Sequence, residues 1–178
     1  MKPRTNIITS NRLSILAAII FLITLYLMKL YEHDFMIYSK GAETLDMRFG
    51  YSTTSCYQLL VDLGEEGRAV YQKILVDDLI FITSFFVLQD YLMKCAIGKS
   101  LRKSRMRYFL SLSYLRAGFD YFENIIIMAF MIYLPKEFYI PARLLSIITQ
   151  LKFVALWLWL AALLFVLAIR LVKKGHAV

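Results

Sequence analysis

Five polar residues recur at intervals of three and four within the otherwise apolar stretch 108–134. They are Ser113, Arg116, Asp120, Glu123 and Asn124. This spacing places them along one face of a helix. Two carboxyl groups on one face can act as general acid and general base when burial separates their pKa values. Arg116 precedes Asp120 by four residues, so the two can pair within the helix.

The next apolar stretch supplies a cation, Lys152, at a matching depth. Counted from the connection between the two stretches, Asn124 and Lys152 lie roughly 12–15 Å deep at 1.5 Å per residue. Helices joined by a short connection are antiparallel neighbours. We therefore expect Asp120 or Glu123 to meet Lys152. When Arg116 is included, the formal charges of these two acids and two bases sum to zero.

Charges inside a bilayer have to be explained, because each costs at least about 2.5–3.5 kcal/mol at the centre of the membrane. In one interpretation they only hold helices together, at about 0.6 kcal/mol per polar contact. In the other they form a ligand or proton site, and we favour this second interpretation. The candidate ligand-binding residues are Asp120, Glu123, Asn124, Lys152, Arg116, Asp78 and Arg68.

A specific catalytic apparatus is missing from the sequence. His33 and His176 both lie outside the apolar stretches, and no Ser-His-Asp set or metal-ligand spacing is present. We therefore predict no metal and no cofactor, and the sequence assigns no catalytic residue. The alternative function, a lipid-processing enzyme, would use Asp120 and Glu123 as acid and base.

The elements that position these residues follow from composition. The chain is 60% hydrophobic and 19% charged, against roughly 45–50% and 25% in soluble domains. The apolar excess lies in four stretches, at about 13–30, 74–93, 108–134 and 144–169. About 20 apolar residues cross a bilayer as a helix. The sequence predicts an all-α, four-helix transmembrane bundle in a single membrane domain, residues 1–178.

Orientation follows from the positions of Lys and Arg. Cations without acids fill residues 1–12, the loop 94–107 and the C-terminal tail, whereas residues 31–73 hold seven acids and four bases. We predict a multi-pass protein of the plasma membrane with both termini in the cytoplasm. This topology explains the net charge of +8, so the lipid bilayer is the expected partner and nucleic acid is not.

In this topology residues 31–73 form the loop on the outer face of the membrane. Their sequence predicts a short extracytoplasmic helical hairpin, about residues 44–73. Residues 52–54 suit a helix N-cap and Gly64 a helix end. A second helix is expected to begin near Glu65 and to continue into the second span, with a close helix contact at Gly67. Residues 46–51 are either a surface turn or a lip over the bundle.

Two motifs carry a resemblance. They are Leu63-Gly64-x-x-Gly67-Arg68 in the hairpin and Asp120-x-x-Glu123-Asn124 in the third span. Over about residues 44–160 the chain resembles a group of uncharacterised bacterial four-span membrane proteins. The resemblance implies this topology and no activity.

Together these features predict an integral membrane binding or assembly protein. A polar pocket within the bilayer, opening outward, would take a small amphipathic ligand or the transmembrane helix of a partner. That partner could be another membrane protein or a second copy of the chain. The lipid-processing enzyme remains the alternative.

Overall fold

The computed structural model describes residues 5–98 and 105–175, and within them the chain is helical and contains no strand. The α-helices are α1 (Thr5–Tyr38), α2 (Thr53–Asp62), α3 (Gly64–Ile97), α4 (Ser111–Tyr133) and α5 (Tyr139–Gly175). Short 3-10 helices occupy Leu45–Met47 and Arg105–Leu110. The predicted all-α class is confirmed.

Three helices of the described ranges are long and apolar enough to cross a membrane. They are Asn11–Tyr38 of α1, Gly64–Ile97 of α3 and Tyr139–Val172 of α5. The remaining long helix, α4, has 23 residues and holds Arg116, Asp120 and Glu123. The membrane character of the chain agrees with the sequence, and a fourth span through α4 stays a prediction.

The helices extend beyond the predicted spans 13–30 and 74–93, because α1 and α3 each run for 34 residues. At 1.5 Å per residue this is about 51 Å, against about 30 Å of hydrocarbon. The extra turns pair with each other where α1 ends and α3 begins. Here the ring of Phe35 lies 5.1 Å from that of Tyr71, and both side chains are fully buried.

Two consecutive helices, α2 and the start of α3, form a hairpin at this same end of the bundle, which we call the hairpin end. Its placement outside the cytoplasm stays a prediction. The Ser52 hydroxyl accepts a hydrogen bond of 3.1 Å from the backbone N–H of Ser55, capping α2. One residue separates α2 from α3, and Gly64 adopts φ +62° at the junction, which suits glycine. α3 then continues unbroken from the hairpin into the bundle.

Buried charges lie in a layer between two apolar clusters. The cluster at the hairpin end includes Leu60, Tyr71, Leu75, Ile127, Phe130 and Leu145. The cluster at the opposite end includes Met93, Ala96, Ile97, Trp159, Ala162 and Val166. Along α3, α4 and α5 the buried charged residues fall between these clusters in sequence; they are Asp77, Asp78, Arg116, Asp120, Glu123 and Lys152. The layer is therefore shielded from water at both ends of the helices.

The helices pair unevenly. α1 packs along α3, α4 packs along α5, and α3 also contacts α4 and α5. Because α1 follows α3 rather than α5, a cavity remains between α1 and α5.

The orientation in the membrane stays a prediction. Residues 1–4, 99–104 and 176–178, which carry several of the cations used for it, lie outside the described residues.

Replacing Gly67 by Ala tests the contact between α1 and α3. A Cβ at Gly67 would lie 2.8 Å from the Tyr38 Cβ, so the helices would have to move apart, at a cost of about 1–3 kcal/mol. We expect a lower free energy of unfolding in detergent, measured by denaturant titration. Gly118→Ala is the matched control, because nothing lies within 4 Å of that position. Equal behaviour of the two variants would contradict the close contact.

Candidate functional site

Lys152 of α5 is the centre of the buried polar layer. Its Nζ lies 3.1 Å from Asp120 Oδ1 and 2.5 Å from Glu123 Oε2. It also donates to the backbone carbonyl of Asp46 at 2.8 Å. The predicted meeting of Lys152 with the α4 acids is confirmed. The ammonium group therefore donates two hydrogen bonds, to Glu123 and to the Asp46 carbonyl, and forms an ion pair with Asp120.

Asp120 is shared by two cations. Its Oδ2 accepts a hydrogen bond of 2.8 Å from Arg116 Nη1, the pair predicted within α4, while its Oδ1 faces Lys152. The Arg116 guanidinium also stacks over the Phe85 ring, 4.3 Å from its centroid. The Nε and Nη2 atoms of Arg116 are buried without a hydrogen-bond partner in the described part of the chain.

Glu123 is held from α5 on both of its oxygens. One accepts from Lys152 and the other from the hydroxyl of Thr149. The same hydroxyl lies 3.1 Å from the Leu145 carbonyl and 3.4 Å from the hydroxyl of Tyr51. The Glu123 side chain has no exposed surface, so this carboxylate joins helices and is closed to other groups.

The partner of Asp78 on α3 is an amide, whereas the partners of Asp120 and Glu123 include cations. Asn124 Nδ2 donates to Asp78 Oδ2 at 2.6 Å, which ties α3 to α4. Within residues 5–98 and 105–175, Asp78 takes part in no ion pair. Burial of a carboxylate without a cation is costly, and this sets Asp78 apart from the other two acids.

The loop before α2 closes the polar layer at the hairpin end. The Tyr71 hydroxyl donates to Asp46 Oδ1 at 2.9 Å and accepts from the Leu45 backbone N–H at 3.0 Å. The Tyr51 backbone N–H donates to the Ser146 hydroxyl of α5 at 3.0 Å. These contacts, with that of the Asp46 carbonyl to Lys152, favour the interpretation of residues 46–51 as a lip over the bundle.

A cavity of about 280 Å³ lies between α1 and α5, with α3 and α4 behind it. Its floor is charged and comprises Asp78, Arg116, Asp120 and Lys152. Its walls are mainly apolar and include Leu25, Met28, Ile74, Phe81, Phe85, Phe153 and Leu156. The lip contributes Thr44, Asp46 and Met47, and Lys29 and Glu32 of α1 complete the lining. The cavity thus combines a polar end with an apolar passage.

The structure divides the predicted site residues into three groups. Asp78, Arg116, Asp120 and Lys152 line the cavity. Two more lie outside the lining: Glu123 accepts a hydrogen bond from Lys152, and Asn124 donates one to Asp78.

Arg68, the third group of the predicted site residues, lies in the hairpin and apart from the other six. Its Nη1 donates to the Leu60 carbonyl at 3.1 Å, and it does not line the cavity. The last carbonyls of α2 lack partners within that helix, and Arg68, on the first turns of α3, satisfies one of them. It is a hairpin residue.

Three contributors to the site were missed at the sequence level. Asp46 acts through its backbone carbonyl, which carries no signal in the sequence. Tyr71 and Thr149 act as hydrogen-bond bridges to Asp46 and Glu123. Thr149 lies three residues before Lys152, on the same face of α5, and this spacing is the one signal that could have identified it.

Comparison with known proteins finds no matching family model, no matching curated protein and no matching solved structure. The resemblance of the two motifs stays a prediction. Within the described residues, no group of three or more His, Cys, Asp or Glu side chains is arranged to hold a metal ion.

Replacing Lys152 by Met tests the central ion pairs. The change leaves Glu123 as a buried carboxylate without a cation, and removing one partner of a buried pair costs about 3–5 kcal/mol. We expect this loss in the free energy of unfolding, and partial recovery when Glu123→Gln is added, because the unpaired charge is then removed.

Lys29→Met is the control for that experiment. Lys29 pairs with Glu32 at the surface, where its side chain is 70% exposed, and such pairs contribute less than about 1 kcal/mol. Equal losses for Lys29→Met and Lys152→Met would show that the buried pairs do not carry the stability assigned to them.

Proposed function

We propose that the chain is a four-span integral membrane protein that binds a small amphipathic ligand in the cavity between α1 and α5. The observation that carries the proposal is the pairing of a charged floor with apolar walls in one cavity. Ligand sites typically combine an apolar lining with a few well-placed polar groups. The polar end of the ligand would meet the floor, and its hydrocarbon part would lie along Leu25, Met28 and Leu156.

The surface of α4 supports its role as the fourth span. Its ionisable side chains, Arg116, Asp120 and Glu123, are all buried. The side chains that it exposes are apolar or aromatic and include Tyr114, Leu115, Phe122, Ile125 and Ile132. A helix of this kind offers lipid an apolar face and keeps its charges against its neighbours.

The size of the cavity favours a small ligand over a partner helix. Its volume of about 280 Å³ lies just below the range for ligand pockets, about 300–1,000 Å³. A helix is about 10–12 Å across with its side chains, so the cavity would take one side chain of a partner and not the helix itself. A headgroup with a short length of chain fits.

Access from the side is favoured over the outward opening expected from the sequence. The lip lies over the hairpin end of the cavity through Thr44, Asp46 and Met47, and the Asp46 carbonyl is held by Lys152. The space between α1 and α5 lies within the apolar part of both helices. A ligand dissolved in the bilayer would therefore enter between these two helices.

Catalysis by Asp120 and Glu123 receives less support from the geometry. Glu123 has no exposed surface and both of its oxygens are hydrogen-bonded. An acid–base pair has to reach the substrate, and only Asp120 of this pair lines the cavity. Binding is therefore the function that the arrangement supports best.

A cavity-filling variant tests ligand binding. Leu156→Trp places a large side chain among the lining residues, and Leu158→Trp places the same side chain at a position that is 53% exposed and not in the lining. We expect mass spectrometry of extracted small molecules to find one species near equimolar amounts in wild type and Leu158→Trp. In Leu156→Trp it should fall at least fivefold, at an unchanged unfolding temperature.

The result that contradicts ligand binding is equal retention by Leu156→Trp and Leu158→Trp, or the presence of bulk membrane lipids alone in every sample.

The proposed orientation places both termini and the exposed Cys95 in the cytoplasm, and the hairpin outside. Its support is the excess of Lys and Arg in residues 1–12 and 94–107. Cys56 lies in the hairpin, buried, and burial raises the pKa of its thiol to about 12.

Thiol labelling tests this orientation. A membrane-impermeant maleimide at pH 7.5 should label Cys95 only after the cells are permeabilised. It should leave Cys56 unmodified in both states, because the thiolate is the reactive form and a raised pKa keeps it scarce. Denaturation should expose both thiols, which serves as the internal control. Labelling of Cys95 in intact cells would contradict the proposed orientation and indicate the opposite one.

A further inference from the structure

The buried polar layer holds more acids than bases. The buried acids are Asp46, Asp77, Asp78, Asp120 and Glu123, and the buried bases are Arg116 and Lys152, all less than 9% exposed. Asp120 pairs with both cations and Glu123 with Lys152. The carboxyl groups of Asp46, Asp77 and Asp78 are therefore left without a cation in the described ranges.

Asp78 is the unpaired acid on the floor of the cavity, because Asp77 does not line the cavity and Asp46 lies in the lip, where the Tyr71 hydroxyl donates to its Oδ1. Its Oδ2 is occupied by Asn124, whereas its Oδ1 has no hydrogen-bond partner in the described ranges. This oxygen is not fully buried, and Asp78 belongs to the lining of the cavity. The free oxygen of Asp78 therefore faces the cavity.

The cations of the floor offer little to an anionic ligand. Lys152 directs its ammonium group to Asp120, Glu123 and the Asp46 carbonyl. The unpartnered Nε and Nη2 of Arg116 are enclosed by protein, with almost no accessible surface. A carboxylate or phosphate in the cavity would meet cations that are already paired with acids of the protein, together with an unpaired acid.

We infer that the polar group of the ligand is an ammonium group, and that Asp78 Oδ1 is its acceptor. This inference rests on the proposed binding function and narrows the ligand to an amphipathic amine. A protonated amine supplies both the missing positive charge and an N–H donor. Phe81, one turn along α3 from Asp78, also lines the cavity and offers an aromatic face of the kind that attracts cations.

Three probes with the same ten-carbon chain test the charge preference: decylamine, decanol and decanoate. Tritiated decylamine is bound to wild type in phosphatidylcholine nanodiscs, and binding to empty nanodiscs is subtracted. We expect saturable binding, with decanol and decanoate competing at least tenfold more weakly than unlabelled decylamine. Equal competition by decanoate would overturn the ammonium assignment.

Two variants locate the acceptor. Asp78→Asn removes the charge and should lower decylamine affinity at least tenfold. Asp77→Asn is the matched control, because Asp77 is the adjacent buried acid and does not line the cavity; its affinity should stay within twofold of wild type. Equal effects of the two variants would overturn the role of Asp78. The comparison of probes on wild type holds even where a variant fails to fold.

The outcomes separate this inference from the proposed function. Saturable binding of all three probes without charge preference, lost in Leu156→Trp and retained in Leu158→Trp, would overturn the ammonium assignment and leave the binding function intact. Absence of saturable binding by any probe would overturn both.

Discussion

A lysine ammonium group enclosed between helices is the constraint on which the rest of the structure depends. Outside water such a charge is tolerated only when its donors are fully matched. Lys152 meets this requirement with two carboxylates of α4 and one carbonyl of the lip. These contacts align α4 with α5 and bring the lip onto the bundle. The floor of the cavity follows from the same arrangement.

The way in which the charges are shared shapes the site. Asp120 serves two cations, while Glu123 is enclosed by Lys152 and Thr149. Both cations are thereby paired with acids of the protein, and Asp78 on α3 keeps an oxygen toward the cavity. Chemically similar acids therefore have different roles. Asp120 and Glu123 of α4 hold the cations, whereas the acid of α3 is available to a ligand.

Local helical geometry explains what could be predicted from the sequence. The three- and four-residue spacing on α4 and the matching depth of Lys152 were enough to predict the Arg116–Asp120 pair and a contact of Lys152 with Asp120 or Glu123; the structure has both contacts. The continuation of the hairpin helix into the second span was also predicted. The full length of α1 could not be predicted, because Phe35 near its end packs against Tyr71, a contact between distant residues. The Asp46 carbonyl is 106 residues from Lys152 and has no side-chain signal. The contact of Arg68 could not be predicted either, because its acceptor is a backbone group of α2.

The distribution of partners around α4 has a consequence for biogenesis. With three ionised residues, this helix is a poor substrate for the translocon when it is presented by itself, since each charge is unfavourable by about 2.5–3.5 kcal/mol at mid-membrane. Its principal counter-charge, Lys152, is not synthesised until the following helix emerges. Only five residues separate the two helices. In the four-span topology, α4 and α5 would therefore enter the bilayer together as an antiparallel pair. A ribosome stalled between them would leave α4 outside the bilayer.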